Sequence, residues 1–469
     1  MKIPHNDLGG QMPVTNGRIS RLRIRHLATL ALAAVIPFGV GCKEKDRPAA
    51  EPKTPELKAK PATPAPATGA STGVVAPNPG DAAAHAFRNA VENPPAGWTG
   101  NVFKLSHAYP VEKPAVPADG YPWEKFDFKT QPGEYMAAVL AHARADLDAV
   151  DWDPMKLAKP NWFHAPWMAE GNENGNGREF VRGMTKERGS RAGELSPAQT
   201  TNYIGNYAVG FYNDLGGWTF GRVWADPGKP DISGGKPVFE NGTMAVKLLF
   251  TAADPAKPED GAPYLKGSKE WQANVALAFQ GPRKPETLRL LQVDIAVRDK
   301  RNDAVTGWLL GTFVYNGDKP GATPLDRLTP VGLMWGDSPG VKPGGAAPSE
   351  QWINTDVGTY QHLGWAGRMN GPVDNPISSC MSCHGGGAET PVVGAMLPPS
   401  SASDDEKLKW FTNVKAGVAK DAGSVSLDYS LQMSVAMQNW QKWVGPTALK
   451  AAAATAEPPV NRGEGTTEK

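Results

Sequence analysis

LRLLQVDIAVR, the stretch from Leu288 to Arg298, has the period of a β-strand. Leucine, valine, isoleucine and valine at the odd positions from 291 to 297 alternate with leucine, glutamine, aspartate and alanine at the even positions from 290 to 296. Successive side chains of a strand point to opposite faces of a sheet, so one face is apolar and the other is mixed. The stretch therefore predicts an antiparallel strand with one face on a core.

Similar runs surround this stretch, and glycine, proline, asparagine and aspartate separate them. Their fairly even spacing favours a sandwich or barrel over alternating βαβ units, which need an amphipathic helix between consecutive strands. The segment from Gly133 to Ala149 is the main helical exception. We therefore predict an α+β fold in which a β-rich, sandwich or barrel-like body covers residues 96–345. The other predicted strands are Trp218–Trp224, Thr243–Thr251, Trp271–Phe279, Gly307–Tyr315 and Leu328–Trp335.

The composition is that of a folded and nearly neutral protein. Of 469 residues, 40% are hydrophobic and 21% are charged, which is enough apolar material for a sizeable core. Lysine and arginine number 49 against 48 aspartates and glutamates, so no basic field exists to hold a nucleic acid. Any partner must be recognised by a local patch.

The N-terminus has the pattern of an export signal over residues 1–42. Four arginines between positions 18 and 25 precede an apolar run from Leu27 to Val40, which is too short to span a bilayer. The segment from Gly39 to Cys42 resembles the lipobox of bacterial lipoproteins, although leucine is usual at the position of Gly39. The resemblance implies a lipid on Cys42 and anchoring to a membrane in the bacterial periplasm. The alternative is an ordinary signal peptide with a fortuitous cysteine, and export is expected in both cases.

Residues 43–95 and 446–469 have the composition of unstructured chain. Alanine, proline, lysine and threonine dominate the first segment, which lacks apolar periodicity. Such a segment buries too little surface to offset the entropy lost on ordering. We predict a flexible tether over residues 43–95 and a disordered tail over residues 446–469.

Cys380-Met381-Ser382-Cys383-His384 is the pentapeptide with a specific chemical signature. Two thiols three residues apart lie on one side of a helical turn, and a histidine follows them directly. The pentapeptide resembles the haem-attachment motif of c-type cytochromes. This resemblance implies one covalent haem c, thioether bonds from Cys380 and Cys383, and His384 as an axial ligand of the iron. The chain has three cysteines, so none is left for a structural disulfide.

Two other kinds of site use the same residue types. A redox-active pair of cysteines is expected in a βαβ context, whereas the residues from Asn370 to Pro376 have the composition of a loop. A zinc site needs a fourth ligand and a different spacing, because adjacent cysteine and histidine rarely reach one tetrahedral ion. Haem attachment is therefore the favoured interpretation.

The second axial ligand stays open at the level of sequence. Met396 is the first choice, because a methionine near proline in a loop after the motif resembles the distal segment of many small cytochromes c. Met433 and Met437 are alternatives, but they belong to the apolar stripe of a helix predicted from about Leu427. An iron without a second protein ligand is a further alternative. The weaker candidates upstream of the motif are His362 and Met369.

The resemblance to cytochromes c extends from about Gly358 to Val444. Residues 403–406 have the pattern of a capping box, and Leu408, Phe411 and Val414 continue it as the apolar face of a helix. We therefore predict a helical, cytochrome c-like haem segment over residues 346–445. It is expected to follow the β-rich body.

The β-rich body is not part of a standard cytochrome c. It faintly resembles the small β-sheet cytochromes of ammonia oxidisers, whose motif also follows the strands and whose haem is cross-linked to a lysine. The local similarity is the segment from Phe239 to Thr243, which leads to Lys247. We do not transfer the cross-link, and Lys247 is interpreted as an ordinary strand residue.

Together these patterns predict a periplasmic mono-haem cytochrome that exchanges single electrons with a redox partner protein. The alternative is a haem enzyme, or a protein that binds nitric oxide or peroxide, with five-coordinate iron and the β-rich body as its pocket. A third interpretation makes the body a docking module for the redox partner. The axial ligands decide between the first two.

Overall fold

The computed structural model describes residues 81–170, 177–278, 281–360 and 363–444. The predicted signal segment with Cys42, most of the predicted tether, His362 and the predicted tail lie outside these residues. Within the described ranges, no helix combines the length and apolar character that a bilayer crossing needs.

Most of the described strands form one antiparallel sheet. In chain order the strands are β1 (Trp162–Phe163), β2 (Thr185–Lys186), β3 (Asn206–Asn213), β4 (Met244–Thr251), β5 (Glu270–Val275), β6 (Lys284–Arg298), β7 (Trp308–Tyr315), β8 (Leu328–Met334), β9 (Gln351–Ile353), β10 (Glu389–Thr390) and β11 (Val425–Ser426). The sheet has the order β1-β3-β4-β6-β7-β8-β9, with β2 on β3 and β5 on β6, and β10 pairs separately with β11. Consecutive strands pair locally along most of this order.

Six described helices accompany the sheet, and 3₁₀ turns connect many of the elements. The helices are α1 (Ala82–Ala86), α2 (Pro132–Leu147), α3 (Asp214–Val223), α4 (Cys380–Gly387), α5 (Asp404–Lys407) and α6 (Leu431–Val444). The 3₁₀ turns are Pro122–Lys125, Asp148–Val150, Pro154–Lys156, Pro258–Asp260, Pro263–Leu265, Lys300–Asn302, Pro324–Arg327, Thr355–Tyr360, Trp365–Gly367 and Leu408–Trp410.

The β-rich α+β class is confirmed, and five of the six predicted strands are present as β4 to β8. The finer expectation of a sandwich or barrel differs from the structure. The described strands of the body lie in one sheet rather than in two facing sheets, and the pairings run from β1 to β9 without joining these two strands. Helices and loops therefore cover the sheet.

The predicted strand Trp218–Trp224 is wrong, because α3 covers Asp214–Val223. The Asn213 side chain accepts a hydrogen bond from the Gly216 N–H at 3.2 Å and so caps the helix directly after β3. Gly217 lies so close to Phe163 that a Cβ atom there would come within 2.3 Å of the phenyl ring. The helix cap at Asn213 and the close packing at Gly217 accompany a helix here, although the apolar pattern had indicated a strand.

The helices predicted elsewhere are found with altered lengths. The predicted helix of residues 133–149 is confirmed as α2, and the helix predicted from about Leu427 begins at Leu431 as α6. Ser403 caps α5 through the predicted capping box, but α5 ends at Lys407 and continues only as a 3₁₀ turn. The apolar helix expected to run through Val414 is therefore wrong.

The first face of the sheet packs against α2 and is almost entirely apolar. Met136 of α2 lies 2.9 Å from the position that a Cβ atom on Gly311 would take, so helix and sheet are in close contact. Aliphatic side chains from the central strands fill the same core. Its central members are Val246, Leu248, Val293, Ile295, Val297, Leu309 and Leu333.

The second face of the sheet packs against the C-terminal segment that carries the cysteine motif. Tyr212, Leu310 and Met334 from the strands share one apolar cluster with Met381 of α4 and Met433 of α6. Ala245 and Ala296 pack at its border. This second apolar cluster therefore holds the motif helix α4 against the sheet.

Residues 81–95, which the sequence prediction assigned to the tether, are packed onto this body. His85 and Ala86 of α1 are buried. The His85 ring stacks on Trp443 of α6 with 3.8 Å between centroids, and the Trp167 N–H donates to the Ala86 carbonyl at 3.0 Å. The folded part of the chain therefore includes these residues, in contrast to the predicted boundary at residue 95.

Candidate functional site

Helix α4 begins at the first cysteine of the motif, and a buried serine caps it. The Ser379 hydroxyl accepts from the Ser382 N–H, and the Ser382 hydroxyl accepts from the Ser379 N–H, both at 2.9 Å. This reciprocal capping box satisfies two N–H groups that a helix start leaves without partners. Ser379 also donates its hydroxyl hydrogen to Asp337 at 2.6 Å. The cap fixes where the motif helix starts and how it is oriented.

Both thiols of the motif are free and half-buried on α4. Burial raises the pKa of the Cys383 thiol to about 11 and that of the Cys380 thiol well above its usual value. Both side chains are therefore neutral thiols at neutral pH, without the lowered pKa of a redox-active cysteine. Their spacing of three residues places them on the same side of the helix.

His384 is held in one tautomer by a backbone carbonyl. Its Nδ1 lies 2.8 Å from the carbonyl oxygen of Tyr429, and because a carbonyl only accepts, Nδ1 must carry the hydrogen. Burial lowers the pKa of His384, whereas this hydrogen bond opposes the decrease. The imidazole is thus neutral at neutral pH, and its Nε2 has a free lone pair for a metal ion.

A row of residues crosses the sheet on the face that carries the motif. Adjacent strands align Gly210 with Lys247, Lys247 with Asp294, Asp294 with Thr312, and Thr312 with Gly332. Neither glycine has room for a side chain. A Cβ atom on Gly210 would come within 2.6 Å of Gln432, and one on Gly332 would come within 3.0 Å of the Met369 sulfur. Small residues at both ends therefore allow covering segments to approach, and the polar residues lie between them.

The centre of this row is an ion pair that solvent reaches. The Lys247 ammonium lies 3.1 Å from Asp294, with 30% of the lysine and 22% of the aspartate side chain exposed. Asp294 also accepts from the Gln292 amide at 2.9 Å and from the Thr312 hydroxyl at 2.9 Å. Solvent therefore reaches charged groups of two central strands on the face of the sheet that carries the motif.

The electrostatic partners of this ion pair include the motif itself. After burial and the Tyr429 hydrogen bond, Lys247 lowers and Asp294 raises the pKa of His384. Burial also raises the pKa of Glu187, while Lys247 opposes that increase. Asp294, Glu187 and Asp374 together raise the pKa of Lys247 well above its usual value, although burial lowers it. Lys247 is therefore protonated at neutral pH. It is a strand residue, as the sequence analysis interpreted it, and it also lies on the face of the sheet that carries the motif.

A second buried charge network lies behind the start of α4. Arg368 is fully buried, donates to the Asp337 carbonyl at 2.7 Å and has its Nε 3.5 Å from the Asp337 carboxylate. Burial raises the pKa of Asp337 to about 7, while Ser379, Arg368 and Lys420 lower it and Glu350 raises it. One carboxylate oxygen of Asp337, Oδ2, has no hydrogen-bond partner among the described residues.

The predicted candidates for a second axial ligand occupy different environments. Met396 is 40% exposed, and its sulfur lies 2.8 Å from where a Cβ atom on Gly387 of α4 would stand. Met433 and Met437 are fully buried in the core between sheet and C-terminal segment. Met369 is likewise buried, beside Gly332. Met396 is therefore the accessible methionine close to the motif helix, and its role as a ligand stays a prediction.

The motif residues fit the protein side of a covalently attached haem. Two neutral thiols share one helix side, and the neighbouring imidazole has the tautomer in which Nε2 binds iron. These three residues were identified from the sequence, but Tyr429 was missed. It has no local sequence signal, because it contributes only a backbone carbonyl, which any residue type supplies.

The described part of the chain contains no group of three or more histidine, cysteine, aspartate or glutamate side chains arranged to hold a metal ion by themselves. The site therefore has to be interpreted from its individual contacts. Among known proteins, no family model, no curated protein and no solved structure matches this chain.

Proposed function

We propose that this protein is an exported mono-haem c-type cytochrome that transfers single electrons. The observation that carries the proposal is the hydrogen bond from His384 Nδ1 to the Tyr429 carbonyl. Iron-binding histidines commonly donate their second ring nitrogen to a carbonyl, which fixes the ring and increases its basicity. A histidine with only a packing role has no need of this orientation next to two free thiols.

In this proposal each motif residue has a separate task. Cys380 and Cys383 bind the cofactor covalently, so that it is not lost outside the cytoplasm, and His384 presents Nε2 to the iron. When bound, the haem supplies the one-electron redox centre. The Tyr429 carbonyl keeps the imidazole oriented, and the apolar cluster behind α4 excludes water from one side of the helix. The site is thus suited to hold a redox centre beside the sheet.

The proposed location is the bacterial periplasm, with the chain held to a membrane by a lipid on Cys42. The arginine-rich start, the short apolar run and the lipobox-like segment support this location. A redox partner protein is the expected donor or acceptor. The charge balance of 49 to 48 supports recognition through a local surface rather than a global field.

The mass of the mature protein tests the cofactor proposal. The full chain is produced in a bacterial host with intact cytochrome maturation, and its intact mass is measured. We expect one added haem in the wild type and none in the Cys380→Ser/Cys383→Ser double variant. Cys42→Ser is the matched control, because it removes the third cysteine and is expected to lose the lipid while it keeps the haem. A wild-type mass equal to the bare chain would contradict the proposal.

The ion pair of Lys247 and Asp294 favours a second candidate function, that of a haem enzyme or a small-ligand binding protein. Lys247 and Asp294 are ionisable groups close enough to the motif to shift the pKa of His384, and solvent reaches both. Such groups have no evident use in an electron carrier, whereas a reacting ligand needs proton donors and acceptors.

The spin state of the resting haem separates the two functions. A carrier with Met396 as ligand is expected to be low-spin and to become high-spin in Met396→Ala, with no binding of nitric oxide or peroxide by the wild type. A high-spin wild type that binds these ligands supports the second function. Met433→Ala is the control, since this buried methionine is expected to affect stability and not spin state.

A further inference from the structure

Two adjacent residues before α6 have a left-handed backbone. Asp428 has φ of 49° and Tyr429 has φ of 66°. Residues other than glycine rarely adopt this conformation, and it persists only where the surrounding structure holds it in place. Tyr429 is also the residue whose carbonyl accepts from His384. The strained turn and the histidine contact therefore occur at the same place.

The Asp428 carboxylate is fixed by three donors from separate segments. One oxygen accepts from the Phe239 N–H at 2.7 Å, and the other accepts from the Trp308 indole N–H and the Gly417 N–H, both at 2.9 Å. The side chain is fully buried. Burial raises the pKa of Asp428, and these hydrogen bonds to Trp308, Phe239 and Gly417 oppose the increase. The carboxylate therefore joins the sheet and two loops at one point.

Further contacts position Tyr429 itself. Its hydroxyl donates to the Val414 carbonyl, and its ring stacks on Trp308 with 6.1 Å between centroids. The Leu427 N–H donates to the Ala388 carbonyl at 2.7 Å, which ties the turn to the end of α4. Between these contacts, the left-handed conformation at positions 428 and 429 directs the Tyr429 carbonyl to His384.

We propose that Asp428 is a positioning residue for the haem iron: by holding the Tyr429 carbonyl against His384 Nδ1, it sets the electron donation of the axial imidazole. This inference rests on the proposed function, because it assigns a role to Asp428 only where His384 binds iron. A stronger hydrogen bond at Nδ1 makes the imidazole a better donor and stabilises the oxidised iron. Asp428 thereby lowers the reduction potential without contact to the haem.

Asp299 provides a matched control. It is also a buried aspartate, only 2% exposed, and it accepts from the Tyr135 hydroxyl at 3.1 Å and pairs with Arg301. Its contacts lie on the α2 side of the sheet, away from the motif. Asp299→Asn thus removes a comparable buried carboxylate without a path to His384.

The first experiment measures the haem-loaded full chain. In Asp428→Asn we expect the covalent haem to stay attached while the reduction potential rises. In the Met396→Ala background, where the reduced iron is expected to be five-coordinate, we expect the same change to lower the iron-to-histidine stretching frequency in resonance Raman spectra. Mutation of a residue that orients a metal ligand typically changes metal affinity or activity by about 10- to 100-fold. A change of about tenfold in the equilibrium constant for one-electron reduction corresponds to about 59 mV. Asp299→Asn is expected to lower thermal stability and to leave both readouts at the wild-type values.

The second experiment needs no haem. In the full chain produced without cytochrome maturation, ¹⁵N NMR reports which ring nitrogen of His384 carries the hydrogen. The wild type is expected to have it on Nδ1, and Asp428→Asn is expected to lose this preference. If the wild type never acquires haem, the proposed function fails, whereas this measurement still decides whether Asp428 orients the imidazole.

Trp308→Phe is the milder variant if Asp428→Asn does not fold. It keeps an aromatic ring beside Tyr429 but removes one of the three donors to Asp428. We expect shifts in the same direction and of smaller size. The inference is overturned if the folded variants retain the wild-type potential and tautomer, or if Asp299→Asn changes both readouts to the same extent.

Discussion

Leu248 and Lys247 are neighbours on β4, yet they serve different halves of the molecule. Leu248 is fully buried in the apolar core that packs against α2. Lys247 points to the other face, where it pairs with Asp294 below the cysteine motif. One face of the sheet thus consists of packed aliphatic side chains, and the other combines an apolar cluster with charged side chains. The comparison teaches that the apolar core against α2 and the proposed haem site lie on opposite faces of the same sheet.

Truncation on the α2 face is expected to have the largest effect on stability. Leu248→Ala removes a fully buried side chain and leaves a cavity, which typically lowers the free energy of unfolding by about 2–5 kcal/mol. Denaturant unfolding measures this loss. The haem spectrum and the His384 tautomer are expected to remain unchanged, and a spectral change would contradict the separation of the two faces.

The next effect concerns the pH dependence of stability through Asp337 on the motif face. Because its pKa is raised from 3.8 to about 7, the folded state keeps a proton that the unfolded chain releases in this interval. The contribution of Asp337 to stability is therefore largest below pH 4 and declines as pH rises to about 7, by up to about 1.4 kcal/mol per pH unit.

Asp337→Asn removes the titrating carboxyl group, so the free energy of unfolding is expected to decline less as the pH rises from 4 to 7. The amide oxygen still accepts from the Ser379 hydroxyl, so the cap of α4 is retained. Unfolding free energies of variant and wild type, measured from pH 4 to pH 8, give the difference. Parallel curves would show that Asp337 titrates normally.

Removal of the Lys247 charge is expected to have a smaller effect on stability and a direct effect on the site. Lys247→Met leaves Asp294 with its Gln292 and Thr312 donors, and solvent reaches the pair, so we expect a loss of about 1–2 kcal/mol. The pKa of His384 is expected to rise, because Lys247 lowers it in the wild type.

NMR titration of the haem-free chain measures that pKa. In the double variant Lys247→Met/Asp294→Asn, most of the lost stability is expected to return, because no unpaired charge remains. An unchanged His384 pKa in Lys247→Met would place Lys247 outside the site.

The smallest expected effect comes from the cap of the motif helix. Ser379→Ala removes the acceptor for the Ser382 N–H and typically costs about 1 kcal/mol. Ser403→Ala in the exposed helix α5 is the matched control, and a smaller loss is expected because water replaces the lost acceptor there. Equal losses in the two variants would show that burial adds nothing to the cap.

Local patterns were sufficient for much of the sheet and for the three motif residues. Strands β4 and β6 alternate between buried and more exposed positions over part of their length, and this period is visible in the sequence. Strand β7 was predicted from its apolar run alone, because all eight of its residues are buried. Strand β3 is buried in the same way and was missed. A run of aromatic and branched residues between Gly205 and Asp214 was the available signal.

The remainder of the site depends on contacts between distant parts of the chain. His384 meets a carbonyl 45 residues later in the sequence, and any residue type supplies a carbonyl. Lys247 reaches the motif only because the register of β4 and β6 places it opposite Asp294. Such partners become visible once the sheet pairs and the C-terminal segment packs on it.

The alternation on β4 also protects the molecule against misfolding. If β4 were displaced by one residue relative to β3 and β6, every side chain would change faces. A lysine would then enter the aliphatic interior without a counter-ion, and a leucine would lie opposite Asp294. Both consequences are unfavourable, so Lys247 and Leu248 together disfavour a shift in the register of β4.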